Sequence, residues 1–160
     1  MPDLQTSLAS LMTELRKNLK EAVDEVFGTT FGVRPETIPP DGSAKGVSAI
    51  IGLSGNFTGY LAVHVNPEGA CNIAGNMLGD SYPEVDDIVC DAVGELANML
   101  GGSLKKYSCR SGELFRISTP TIVQGRDYST HTPKGAEQIL LGVSAISSLL
   151  TVQLVINESH

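Results

Sequence analysis

From Leu4 onward apolar residues return at every third or fourth position, through Leu8, Leu11, Leu15, Leu19, Ala22 and Val26, with charged residues between them and Gly28 following. That period predicts an amphipathic helix closed by Gly28. Residues 34–46, which include Pro39-Pro40-Asp41-Gly42, are rich in Gly, Pro and Asp and are expected to form a loop, not a domain linker. Residues 47–53 and 60–65 are β-branched and aromatic, and the Ser54-to-Gly59 segment between them predicts a hairpin turn. Asn66 ahead of Pro67 has the chemistry of an N-cap followed by a first helical turn, and Gly79 after Met77-Leu78 has that of a helix end. Ser81-x-x-Glu84 has capping-box spacing and predicts a further helix running through Glu95 and Asn98 to Gly101-Gly102.

Past the 105–112 loop, residues 114–123, 138–146 and 149–157 read as strands, the last two joined in a hairpin through Ser147-Ser148. Strands in runs on either side of two consecutive helices fit an α+β domain spanning residues 1–160, with helices on one face of a largely antiparallel sheet. Parallel neighbours across the helical crossover stay open. One tetrapeptide occurs twice, as Asn76-Met77-Leu78-Gly79 and as Asn98-Met99-Leu100-Gly101, and helix C-terminal chemistry at both places would account for it.

Composition narrows the function. The chain has 160 residues, 41% of them hydrophobic, enough for one globular domain with a core. Eighteen acidic against eleven basic residues give a formal charge of -7, with no basic patch, so no nucleic acid is expected as a partner. The longest apolar run, residues 139–154, is interrupted by Gly142, Ser144, Ser147, Ser148, Thr151 and Gln153, so no membrane span is expected. The N-terminus lacks the pattern of a secretion signal, and Cys71, Cys90 and Cys109 have neither the even number of a disulfide framework nor zinc-ligand spacing. They are expected to include two small buried helix residues of a reducing, cytoplasmic protein.

Candidate chemistry is concentrated on the third helix. At about 100° per residue, Asp87, Asp91, Glu95 and Asn98 share one side, while Val89, Ala92, Val93, Leu96, Ala97 and Leu100 take the other. By periodicity alone this pattern fits the solvated face of an ordinary helix better than a site. Gly94, beside the stripe, removes side-chain bulk and is expected to let a partner backbone approach.

The segment Asp91-Ala92-Val93-Gly94-Glu95-Leu96-Ala97-Asn98-Met99-Leu100-Gly101-Gly102 resembles the motif of the CheC, CheX and FliY chemotaxis phosphatases. In that motif Asp or Ser is followed by Glu four residues on, Asn three after that, and Pro about twenty-two beyond, where Pro120 stands. The resemblance extends over the leading helix, the first hairpin, the paired helices and the closing hairpin. It implies hydrolysis of the phosphoaspartate of a CheY-like response regulator, with Glu95 docking the receiver through its active-site Lys and Asn98 orienting the attacking water. Asp91 and Pro120 would support local structure. No cofactor is implied in this chain, the Mg²⁺ being expected on the receiver. The second motif copy of CheC-type members is not visible, which favours the CheX type and implies a homodimer joined through sheet edges.

Two other readings compete. One is a signalling module that binds a phosphorylated receiver without hydrolysing anything. The other, a flagellar-switch component, would need switch-binding segments for which 160 residues leave no room. His64, His131 and His160 show no triad spacing and read as structural or surface residues. Gly52-Leu53-Ser54-Gly55 lacks the Lys and helix of a phosphate loop, and Asp86-Asp87 fits a helix macrodipole without a metal.

Overall fold

A computed structural model describes residues 4–40, 43–110, 112–129 and 134–158. Asp41, Gly42, His131 and His160 lie outside them. The elements are α1 (Leu4–Phe31), β1 (Glu36–Ile38), β2 (Ser43–Gly55), β3 (Phe57–Val65), α2 (Pro67–Leu78), α3 (Asp87–Ser108), β4 (Phe115–Ile117), β5 (Thr121–Ser129), β6 (Glu137–Ala145) and β7 (Ser148–Glu158). The strands form one sheet in the order β1-β6-β7-β3-β2-β4, with β5 also on β2. Every described strand pair is antiparallel, so no parallel neighbour forms across the helical crossover.

The alternation in the sequence becomes the two sides of this sheet. Val47, Ala49, Ile51 and Leu53 of β2, Leu61 and Val63 of β3, and Val152 and Leu154 of β7 are buried in one cluster with Leu15, Leu19 and Phe27 of α1 and Leu96, Leu100 and Leu104 of α3. Burying a side chain of this size is worth about 1.5–3 kcal/mol each, which makes this face the main source of stability. The α1 stripe matches the predicted one, but the helix continues past Gly28 to Phe31. Gly32, at φ +67°, ends it, donating to the Gly28 carbonyl at 3.1 Å. A mid-helix glycine costs about 1 kcal/mol, and carrying the turn onward brings Phe31 to a ring-centroid distance of 5.2 Å from the buried Phe27.

Helix α2 is bounded as expected. The Asn66 side chain accepts from Gly69 N at 2.7 Å, and Gly79 closes the helix in the left-handed conformation. Helix α3 differs at both ends. Its N-cap is Asp86, whose Oδ1 accepts from Val89 N at 2.9 Å, and the Ser81-x-x-Glu84 pattern lies in the connection before it. Tyr82 and Val85 pack against the core from that connection, which holds it out of helical conformation. At the other end the helix runs through Gly101-Gly102 to Ser108. Gly101 is buried, and a Cβ there would lie 3.3 Å from Ile51 Cδ1, so its small size serves helix-on-sheet packing rather than termination.

Four other expectations are revised. The 34–46 segment contains β1, and β2 already begins at Ser43. The 114–123 strand is two strands: β4 pairs Ile117 with Leu53, whereas β5 pairs Thr121 with Ile50, so one extra residue bulges at the bend. Pro120, lacking an N–H, sits in that bend, and Ser118 closes it, its N donating to Gly52 O and its Oγ accepting from Gly52 N. The last hairpin turns at Ile146 and Ser147, both at positive φ, with Ser148 already in β7. Of the cysteines only Cys90 is buried; Cys71 and Cys109 are partly exposed.

On the sheet face opposite the helices, Ser48, His64, Thr151 and Gln153 are buried. The Gln153 amide oxygen lies 2.8 Å from His64 Nε2 and can only accept, so Nε2 carries the proton and Nδ1 accepts from Ser48 Oγ at 2.6 Å. Burial holds the His64 imidazole below its ordinary value of 6.5, with the Gln153 bond partly opposing. An unfolded His64 therefore takes up a proton that the folded one refuses, and stability is lost as pH falls below about 6.5. Denaturant unfolding at about pH 5 and about pH 7.5 is expected to show a smaller pH slope for His64→Gln than for wild type.

Candidate functional site

Helix α3 packs on β2 and beside α1 and α2, and its buried side is continuous through Val89, Ala92, Val93, Leu96, Ala97, Leu100 and Leu104. The opposite side carries Asp87, Asp91 and Glu95, all exposed, and Asn98, half-buried. The stripe is thus a real surface of the folded chain. Residues three apart on a helix lie about 5–6 Å apart at Cβ, so Glu95 and Asn98 present a carboxylate and an amide side by side. Neither makes a side-chain hydrogen bond or ion pair to any described residue. The basic side chains along α3 are committed: Lys106 pairs with Glu25, and Lys105 with Glu113 at 3.4 Å. Lys106 and Ser103 hold the Glu25 carboxyl below the usual carboxylate range.

The two flanks of the stripe are built differently. On one side α1 contributes Thr30, whose Oγ1 lies 3.7 Å from Met99 Sδ, and Glu25, which accepts from Ser103 Oγ. On the other, the β4–β5 bend comes against Gly94. A Cβ at Gly94 would lie 3.2 Å from Ile122 Cδ1 and 3.6 Å from Pro120 Cγ. The space left by Gly94 is therefore filled by this chain's own Pro120 and Ile122, not held open for a partner backbone. Pro120 reaches the stripe-bearing helix from a distant part of the sequence and packs against it at Gly94. Asp91 lies on the exposed stripe one turn before Glu95, and Asp86 is occupied in capping the helix.

The repeated tetrapeptide has two fates. Asn76 folds back on its own helix, donating to Asn72 O at 2.8 Å, and Gly79 caps α2. Asn98 and Gly101 lie inside α3, where the amide faces outward and the glycine packs on the sheet. Among the described residues, no group of three or more His, Cys, Asp or Glu could hold a metal ion. Among the described residues, no helix is long and apolar enough to cross a membrane.

An antiparallel sheet covered on one face by helices is the architecture of solved CheX and CheC-like chemotaxis proteins. The CheX crystal structure from Vibrio vulnificus superposes with a TM-score of 0.80 over 90% of this chain and 97% of that one, at 23% identity. The CheX of the Borrelia burgdorferi CheX-CheY-BeF3-Mg complex gives 0.76 over 89% and 97%, at 24% identity. These likenesses establish the fold. In sequence, residues 47–144 match the family model described as chemotaxis phosphatase CheX. The CheY-P phosphatase CheX of Thermotoga maritima is 30% identical over 112 residues, 66% of this chain and 72% of the relative. The chain belongs to the chemotaxis phosphatase CheX family.

Proposed function

We propose that this protein hydrolyses the phosphoaspartate of a CheY-like response regulator, with Glu95 docking the receiver and Asn98 orienting the attacking water. The observation that carries the reading is the pair of uncommitted polar side chains, one turn apart, on the exposed face of a helix whose other face is locked into the core. The Thermotoga relative is a CheY-P phosphatase, and the Borrelia structure is a complex of CheX with CheY, BeF3 and Mg; both support the same partner.

The chemistry asks little of the enzyme. An acyl phosphate is already activated, so water must be placed in line with the scissile P–O bond and the transferring charge must be stabilised. The amide of Asn98 has both functions available: its carbonyl accepts from the water, and its N–H donates to a phosphoryl oxygen. The water oxygen joins phosphorus, the bond to the receiver Asp breaks, and the products are the Asp carboxylate and inorganic phosphate, which takes the water proton. The receiver supplies the Mg²⁺, so no cofactor is assigned to this chain. Glu95 pairs with the receiver's active-site Lys, a charge-assisted contact that fixes where along the receiver Asn98 enters. Asp91 and Pro120 hold the helix and its flank. The proposed setting is a cytoplasmic homodimer joined through a sheet edge.

The test is to add the protein to a phosphorylated CheY-like regulator from the same organism and follow loss of phosphate. Wild type is expected to accelerate it. Glu95→Ala is expected to raise KM by about 10- to 100-fold, the loss typical of a truncated charge pair at an interface. Binding of wild type without acceleration would leave a non-catalytic receiver-binding module in place of a phosphatase.

A further inference from the structure

Four large hydrophobic side chains stand out as exposed among the described residues: Leu78, Ile88, Val123 and Leu149. Single apolar residues at a surface are ordinary, but Ile88 is set apart by its position. It is 51% exposed in the first turn of α3, two residues after the Asp86 cap. A first helical turn favours acidic and polar side chains, and a β-branched residue is a weak helix former. Neither helix propensity nor core packing calls for Ile there. Seven residues separate it from Glu95, which places the two within about 20° of each other around the helix and about 10 Å apart along it. Ile88 therefore extends the stripe of Asp91, Glu95 and Asn98 by one more turn, on the side of Glu95 away from Asn98.

We propose that Ile88 is the apolar anchor of the receiver-docking surface and sets which receivers this protein accepts. The inference rests on the phosphatase reading and adds a specificity determinant to it. Exposed Asp87 and Asp91 neighbour Ile88 on the helix and exposed Glu95 lies two turns on, so its partner presents an apolar side chain flanked by cationic groups. That apolar spot lies about 10 Å from the ammonium that pairs with Glu95. Such a surface has the anatomy of a small interface core with a charged rim. Charge also argues against a second copy of this chain as the occupant, because two such faces would bring three carboxylates against three. Docking through Ile88 is separate from the chemistry, since it touches neither phosphorus nor water. It contributes equally to substrate and transition-state binding, and so to KM rather than kcat.

The experiment measures kcat, KM and receiver affinity for wild type, Ile88→Ser, Ile88→Val and Leu149→Ser, using the regulator phosphorylated by acetyl phosphate. Ile88→Ser is expected to raise KM and Kd about tenfold with kcat within about twofold, as for loss of one interface anchor. The defect should persist at high salt, unlike that of Glu95→Ala. Ile88→Val should recover most of the loss, and Leu149→Ser, on the sheet face away from the helices, should match wild type. Unchanged KM and Kd for Ile88→Ser beside an active wild type would overturn the anchor and leave the phosphatase reading standing. So would a change in its sedimentation, which would make the patch a self-interface. Wild-type binding without hydrolysis would remove the phosphatase reading, and a raised Kd for Ile88→Ser would then still support the anchor. Neither binding nor hydrolysis by wild type would bring down both.

Discussion

Asn98→Ala is expected to lower kcat for dephosphorylation by about 10²–10³-fold while leaving receiver affinity within about twofold, the loss seen when one preorganised group is taken from a transition state. The physical reason is that the amide does two things at once at the moment of bond exchange, and Ala leaves both the water and a phosphoryl oxygen without their partner. Asn98 is half-buried but makes no side-chain bond to any described residue, so truncation should leave the fold intact. That separates a catalytic defect from a stability defect, and an unchanged melting temperature checks it. Asn98→Asp should be no better than Ala, because a carboxylate placed against a phosphoryl group repels it. Single-turnover decay of the labelled regulator, read with saturating protein, isolates the chemical step. Equal decay with wild type and Asn98→Ala would end the water-orienting assignment.

The largest effect on stability is expected at Gly59, in β3. A Cβ there would lie 1.9 Å from the Val155 carbonyl oxygen and 3.2 Å from Ile156 Cα, both backbone atoms of β7. No rotamer change can make room, so β3 and β7 must part at the centre of the sheet, where nine residue pairs run from Phe57↔Glu158 to Val65↔Leu150. Gly59→Ala is therefore expected to cost more than about 3 kcal/mol, placing it in the severe tail of single substitutions. Gly28→Ala is the opposite case. Nothing lies within 4 Å of a Cβ at Gly28, which sits exposed inside α1, and its replacement should add about 0.5–1 kcal/mol. Denaturation midpoints of the two variants should move in opposite directions, and a Gly59→Ala protein as stable as wild type would contradict the strand spacing.

The stripe is legible in the amino-acid sequence because it depends on one helix and its period. So are the Asn66 cap, the Gly79 stop and the closing hairpin, since each is a contact between residues a few positions apart. The candidate site reads well from sequence for the same reason: Asp91, Glu95 and Asn98 belong to two turns of a single element. Gly94 is legible only as a missing side chain. What fills the gap, Pro120 and Ile122, comes from the far side of a helix and a strand.

Where an element's boundary depends on neighbours distant in sequence, local signals point to the wrong residue. Gly28 and Gly101-Gly102 look like helix ends, yet α1 and α3 run through them because Phe27, Phe31 and the Ile51–Ile117 surface offset the weak residues. Ser81 has the form of a cap but loses the position to Asp86, since Tyr82 and Val85 are drawn onto the core. The same four residues, Asn-Met-Leu-Gly, end one helix and continue another. The sequence by itself determined which residues face inward and which polar groups share a face, because period and propensity act over a turn or a strand pair. Tertiary structure alone decided where α1 and α3 stop, that Pro120 packs against the stripe-bearing helix, and that Glu95 and Asn98 stay uncommitted while Lys105 and Lys106 do not. Those outcomes depend on atoms brought together by packing, which no local pattern records.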